Sequence, residues 1–222
     1  MNIARLGVVP SDVNPRPYRS AARATAAAAT RRRIVAAAAA LFAELGYVGT
    51  TVAQVAARAD VAVDTVYTSV GRKPQLVLAV VDDILGGDAG PVPAEQREYV
   101  VALRAAPDAR AKLTTYASAM GRIAPQLAPV VAALVRAGED DPECRAAAVG
   151  LAERRAANMR LLAADLRLTG ELRPDLDDAA VADVIWSTNA MEYYQLVQSR
   201  GWSPDRYAAH LADLWTRMLL AQ

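Results

Sequence analysis

From Ile34 onwards the chain spaces its apolar residues three and four apart, and no stretch of useful length alternates them. That period matches the turn of an α-helix and leaves a β-sheet nothing to build from. Ile34, Ala38, Leu41, Phe42 and Leu45 set the pattern, and Gly46 ends the helix they define. Much of the 54% hydrophobic content is alanine, the strongest helix former. A chain of 222 residues with this balance can bury a sizeable core, and the expected fold class is all-α.

Three units are expected. Residues 1–20 hold Pro10, Pro15, Pro17 and three arginines without an apolar period, and read as a mobile basic arm. Residues 21–73 end in two short helices. The first, "TTVAQVAARAD", has Thr50 placed as its N-cap and buries Val52, Val55 and Ala56. The second lies in "DVAVDTVYTSVGRKPQL", with Val66 and Val70 facing inward and Gly71 as its stop. Two short helices, a tight turn and a small residue at the crossing, here Ala56, form the helix-turn-helix pattern of a DNA-binding head.

Residues 74–222 form a larger helical body, entered through a connecting helix at 74–85 that begins at Pro74. After the linker "GGDAGPVP", helices are expected at about 95–105, 108–122, 124–138, 142–168, 177–199 and 204–221. The stretch 177–199 is apolar around most of its circumference, and 204–221 carries a clean apolar stripe, as helices buried in a subunit interface do.

Charge divides the same way. Through Leu85 there are ten Lys or Arg against six Asp or Glu, while the remainder is mildly acidic and the whole chain carries +1. A basic front is suited to an anionic partner such as DNA.

The stretch "RRRIVAAAAALFAELGYVGTTVAQVAARADVAVDTVYTSVGRKPQLVLAV" resembles the head of the TetR family of bacterial transcriptional repressors. Phe42, Gly46, Tyr47, Thr50, Thr51, Val55, Ala56, Val61, Thr65, Tyr67, Gly71, Lys73 and Leu76 carry the likeness by their order and spacing. The resemblance implies that Arg31, Thr50 or Thr51, Tyr67 and Lys73 hold phosphates while Thr65 and Thr68 face bases. Five positions depart from the family's habit. Asp60 stands where glycine is usual, Ala62 where a serine-like cap is usual, and Val63 where a basic or small residue is usual. Asp64 replaces a small residue, and Val70 an aromatic. Val63 would meet a thymine methyl and Asp64 a cytosine amino group, although an acid there also repels phosphate.

For the body, the resemblance implies a ligand pocket and a homodimer. Candidate pocket residues are Tyr116, Met120, Met159, Trp186, Asn189 and Tyr193, a set without clustered charge that suggests a neutral or weakly polar, hydrophobic ligand. Candidate interface residues are Tyr194, Tyr207, Leu211, Leu214, Trp215 and Met218.

Other chemistries find little support. One cysteine, Cys144, and one histidine, His210, leave no intrachain disulfide and no structural zinc site. No nucleophile elbow, paired metal-binding histidines or phosphate-cradling glycine loop appears, so neither a cofactor nor a metal is expected. "MNIARLGVVP" is too short in apolar residues for a signal peptide, and Arg31, Arg32 and Arg33 interrupt the alanine run that follows, so no membrane is expected. The expectation is a cytoplasmic, homodimeric repressor that leaves a palindromic double-stranded DNA operator when a small organic ligand binds. The alternative is a ligand-binding or scaffold dimer with a degenerate head. A helical enzyme would require His210 or a carboxylate pair in a cavity.

Overall fold

The computed structural model describes residues 16–87 and 90–221, with side chains from residue 23 onwards. Ten α-helices account for most of the described residues, with one isolated bridge between Leu172 and Leu220 and no extended strand among them. Most of the expected arm lies outside the described residues, and its last five residues already belong to the first helix.

Helix α1 (Arg16–Gly49) leaves helical geometry at Gly46, where φ is 70°, a conformation that glycine adopts without strain. Ile34, Ala38, Leu41 and Phe42 pack from it onto α2 (Val52–Arg58) and α3 (Val63–Ser69), which contribute Val55, Ala56 and Val66. The cap of α2 is Thr51 and not Thr50. Thr51 Oγ1 accepts from the Gln54 amide at 3.2 Å, and Gln54 Oε1 accepts from the Thr51 amide at 2.7 Å, closing a capping box. Asp60, in the turn before α3, is the one non-glycine with positive φ among the described residues, at 52°. That explains why glycine is the easier residue at this point of such a turn.

Helix α4 (Lys73–Gly86) carries Pro74 in its first turn and joins the head to the body. A short 3₁₀ turn at Ala94–Gln96 precedes α5 (Glu98–Ala105). The centre of the body is α6 (Ala109–Ala137), which touches α1, α4, α5, α7, α9 and α10. Its apolarity and length would suffice to cross a membrane, but here they serve a core helix surrounded by others.

Two expected boundaries are corrected. The segments 108–122 and 124–138 form one helix that continues through Pro125 and Pro129. Each proline removes a backbone hydrogen bond, yet Ile123, Ala124, Leu127 and Ala128 are all buried around them. Conversely, 177–199 splits into α8 (Asp178–Thr188) and α9 (Met191–Gln198), because Asn189 and Ala190 leave helical geometry.

Helices α7 (Pro142–Arg167) and α10 (Pro204–Leu219) complete the body. Helix α10 lies close on α6: a Cβ at Gly121 would stand 2.8 Å from the Cβ of Ala208. Tyr207, Leu211 and Trp215 of α10 are wholly buried within the protomer, as is Tyr194 of α9 to within 2%. They were expected at a subunit seam; instead they are core, because α10 turns its apolar stripe onto α6. Trp215 Nε1 donates to Thr188 Oγ1 at 2.7 Å, which fixes it there. Of the expected interface residues, Met218 is exposed and Leu214 half-buried.

Candidate nucleic-acid interface and ligand cavity

The second short helix presents Val63, Asp64, Tyr67 and Thr68 outward, with Tyr67 48% exposed, while Val66 anchors it to the core. Thr65 is half-buried between these faces. Ala62 offers no capping side chain, and Asp64 is the acid of the first turn. The Thr68 hydroxyl donates to the Asp64 carbonyl at 2.9 Å, the usual resting bond of a helical threonine. Arg31 of α1 donates to the Ser69 carbonyl at 2.6 Å, which places a cation at the far end of α3, where the helix dipole favours it.

Two expected phosphate ligands sit differently. Thr50 is buried, and its hydroxyl donates to the Gly46 carbonyl at 2.8 Å. The kink at Gly46 frees that carbonyl, and Thr50 satisfies it, so Thr50 is structural and Thr51 is the exposed member of the pair. Lys73 places its ammonium 4.1 Å from the centroid of the Tyr47 ring, and burial lowers its pKa.

Tyr47, Lys73 and the start of α7 meet at the seam between head and body. The Tyr47 hydroxyl and the Cys144 sulfur are 2.9 Å apart, and Cys144 Sγ lies 3.3 Å from Asp141 Oδ2. Beside them, the Arg72 guanidinium pairs with Glu143.

In the body, a cavity of about 300 Å³ opens between α4, α5, α6 and α7. Leu103, Met120, Leu127, Val131, Leu134 and Leu162 make much of its apolar wall, and Val81 and Leu85 of α4 reach it from the helix that begins at the head. Four of the six expected pocket residues line it: Tyr116, Met120, Met159 and Asn189. Trp186 instead lies behind the wall under Arg155, whose guanidinium carbon is 4.5 Å from its ring centroid. Tyr193 is outside the cavity lining: it bonds His210 Nε2 of α10 at 2.7 Å, and His210 also packs edge-on to Trp202, in the loop before α10, at 5.0 Å.

Charge is present where none was expected. Arg155 lines the cavity and donates one terminal nitrogen, Nη1, to the Trp186 carbonyl at 2.5 Å and also to Asn189 Oδ1. Asn189, 1% exposed, passes a hydrogen bond on to the Tyr116 hydroxyl at 2.8 Å. The break between α8 and α9 is what frees Asn189 to do this. The sequence did carry a signal for Arg155: it falls four residues after Leu151 and four before Met159, on the inward stripe of α7.

The sequence profile of "Bacterial regulatory proteins, tetR family" matches residues 34–80, the span of the helix-turn-helix and the first half of α4. The chain carries a TetR-family head. Around that head it has the fold of TetR-family transcriptional regulators. It is similar to a TetR transcriptional regulator from Chloroflexus aurantiacus (22% identity, TM-score 0.61, covering 89% of this chain and 100% of that one). It is also similar to NalD of Pseudomonas aeruginosa, the secondary repressor of the MexAB-OprM multidrug efflux pump (19% identity, TM-score 0.62, covering 88% and 98%). SmeT in complex with triclosan matches at 18% identity and TM-score 0.62, covering 87% of this chain and 93% of that one. Identities this low speak of the fold alone. No curated protein matches the chain in sequence.

Proposed function

We propose that this TetR-type protein is a cytoplasmic, homodimeric repressor that leaves a palindromic operator when a small organic ligand fills the body cavity. The supporting observation is the course of α4. Arg72 and Lys73 start it at the head, while Val81 and Leu85 form part of the cavity wall about two and three turns later. A ligand pressing on that wall moves the helix on which the head is mounted. Two heads on one operator must stand about 34–36 Å apart, or a multiple of it, so a small swing of α4 is enough to spoil the register. By linkage, such a ligand binds the DNA-incompetent form better, and DNA weakens the ligand by the same factor. That SmeT holds triclosan and NalD is a repressor supports both halves of this reading.

In this reading Thr51, Tyr67, Lys73 and Arg31 contact phosphates, and Val63, Asp64, Thr65 and Thr68 face the bases. Leu214 and Met218 lie on the face of α10 left for a second copy. The test is a mobility shift on the DNA flanking the protein's own gene, with and without decanol as a probe of the cavity. Operator binding that decanol weakens supports repression released by ligand. Binding indifferent to every cavity ligand separates the two halves.

A second reading has one observation in its favour. The first turn of α3 has the uncapped Ala62 and the exposed Val63 and Asp64, two apolar residues and an acid. No binding to any flanking DNA at low salt would favour a ligand-binding dimer with a degenerate head.

A further inference from the structure

The polar corner of the cavity has more hydrogen-bond donors than acceptors. Arg155 uses Nη1 for both of its protein acceptors, which leaves Nε and Nη2, the paired N–H groups of one guanidinium edge, without a bond to the described residues. The Tyr116 hydroxyl accepts from Asn189, and its own proton points only to the thioether sulfur of Met159 at 3.6 Å, a weak acceptor. The Nε1 of Trp186, the ring beneath Arg155, is buried without a partner. The acceptors nearby are spent: Asn189 Oδ1 and the Trp186 carbonyl both already serve Arg155.

The carboxylates around the cavity do not answer this surplus. Asp165 is paired with Lys112 at 2.8 Å, and Asp82 with Arg154 at 3.0 Å. Glu192, whose charge bears on Arg155, is exposed at the start of α9 and forms no ion pair with it. Arg155 is thus a partly buried cation without an ion-pair partner, an arrangement that an anionic ligand can relieve. Elsewhere the wall is largely apolar, with Arg97, Arg104, Arg154, Asn158 and the exposed Glu95 as its other polar members.

We infer that the cavity takes an amphipathic carboxylate, its apolar chain along α6 and its carboxyl group on the free edge of Arg155. A carboxylate only accepts, carries the missing charge and matches two parallel N–H groups. A quaternary ammonium ligand would set a cation against Arg155. An uncharged alcohol would leave the charge uncompensated. This inference rests on the cavity being a ligand site, as proposed above, and adds the chemical class that it selects.

The experiment compares three probes with the same ten-carbon chain: decanoate, decanol and decyltrimethylammonium. Their affinities for the full-length protein are measured by calorimetry, and their effect on operator binding by mobility shift. Decanoate is expected to bind at least about ten-fold tighter than decanol, the gain of charge-assisted hydrogen bonds, with the ammonium weakest. In Arg155→Gln the ratio of decanoate to decanol affinity should fall towards one, and Arg155→Lys, which keeps the charge but not the fork, should retain part of it. Circular dichroism confirms that each variant is folded. Equal binding of decanoate and decanol, or an unchanged ratio in Arg155→Gln, overturns the assignment; if decanol still releases DNA, the cavity reading stands. Tightest binding by the ammonium also overturns it. Failure of all three probes to bind overturns both readings.

Discussion

The hydroxyl of Tyr47 meets the sulfur of Cys144 at 2.9 Å, joining the end of α1 to the start of α7 across 97 positions of sequence. Burial, reinforced by Cys144, raises the pKa of Tyr47, so the phenol stays protonated and the contact remains a neutral hydrogen bond. With the Arg72–Glu143 pair beside it, this is one of the ties between head and body. Tyr47→Phe should cost about 0.5–1.5 kcal/mol, the usual worth of one such bond. Because Cys144 is fully buried and burial raises its pKa, its thiol should react slowly with iodoacetamide in the native protein and faster in Tyr47→Phe. Equal labelling rates would show that the bond does not hold the seam closed.

Lys73 lies over the Tyr47 ring at the same seam. Lys73→Ala should weaken binding to all DNA sequences alike and reduce the salt slope by about one. A slope that does not change would make Lys73 a support for Tyr47 only.

Asp64 stands exposed in the first turn of α3. Asp64→Lys should strengthen non-specific DNA binding most visibly at low salt, where phosphate repulsion is least screened. If Asp64 reads a cytosine, sequence discrimination should fall in the same variant. Weaker binding to every duplex would mean that Asp64 acts chiefly on the helix dipole.

The burial pattern of α10 separates two kinds of variant. Met218→Glu, at a position 40% exposed, should give a folded monomer in sedimentation. Trp215→Glu should unfold the body, because it buries a charge and breaks the bond to Thr188. A dimer unaffected by Met218→Glu would place the seam on another face.

Acid should loosen the start of α7. Asp141 accepts from the Cys144 thiol and from the amides of Glu143 and Cys144, which together hold its pKa below the ordinary carboxylate value. A carboxyl group depressed on folding stabilises the protein fully above its unfolded pKa, near 4, and this stability is lost as the pH falls through the lower folded value. Asp141→Asn should remove that part of the acid loss, as followed by thermal melting from neutral pH downwards. Parallel profiles for the two proteins would show that Asp141 contributes nothing to it.

Much of the fold was legible along the chain, and the misreadings have local causes. Thr50 and Thr51 are both capping residues by type, and only the kink at Gly46, whose free carbonyl takes the Thr50 hydroxyl, decides between them. Pro125 suggests a helix end in any sequence, but the packing around α6 carries the helix through it. No glycine or proline marks the break at Asn189, and the bonds it makes there, to Arg155 and Tyr116, reach residues far away in sequence.

By itself, the sequence determined the all-helical class, the helix-turn-helix and its unusual α3, because periodicity, caps and turn residues act between neighbours a few positions apart. Only the tertiary structure decided which apolar faces are core and which remain outside. It turned Tyr207, Leu211 and Trp215 inward onto α6, left Arg155 without a counter-ion beside an apolar cavity, and set Cys144 against Tyr47. These are contacts between residues far apart in sequence. Their energies depend on how whole helices pack, a quantity that no local pattern encodes.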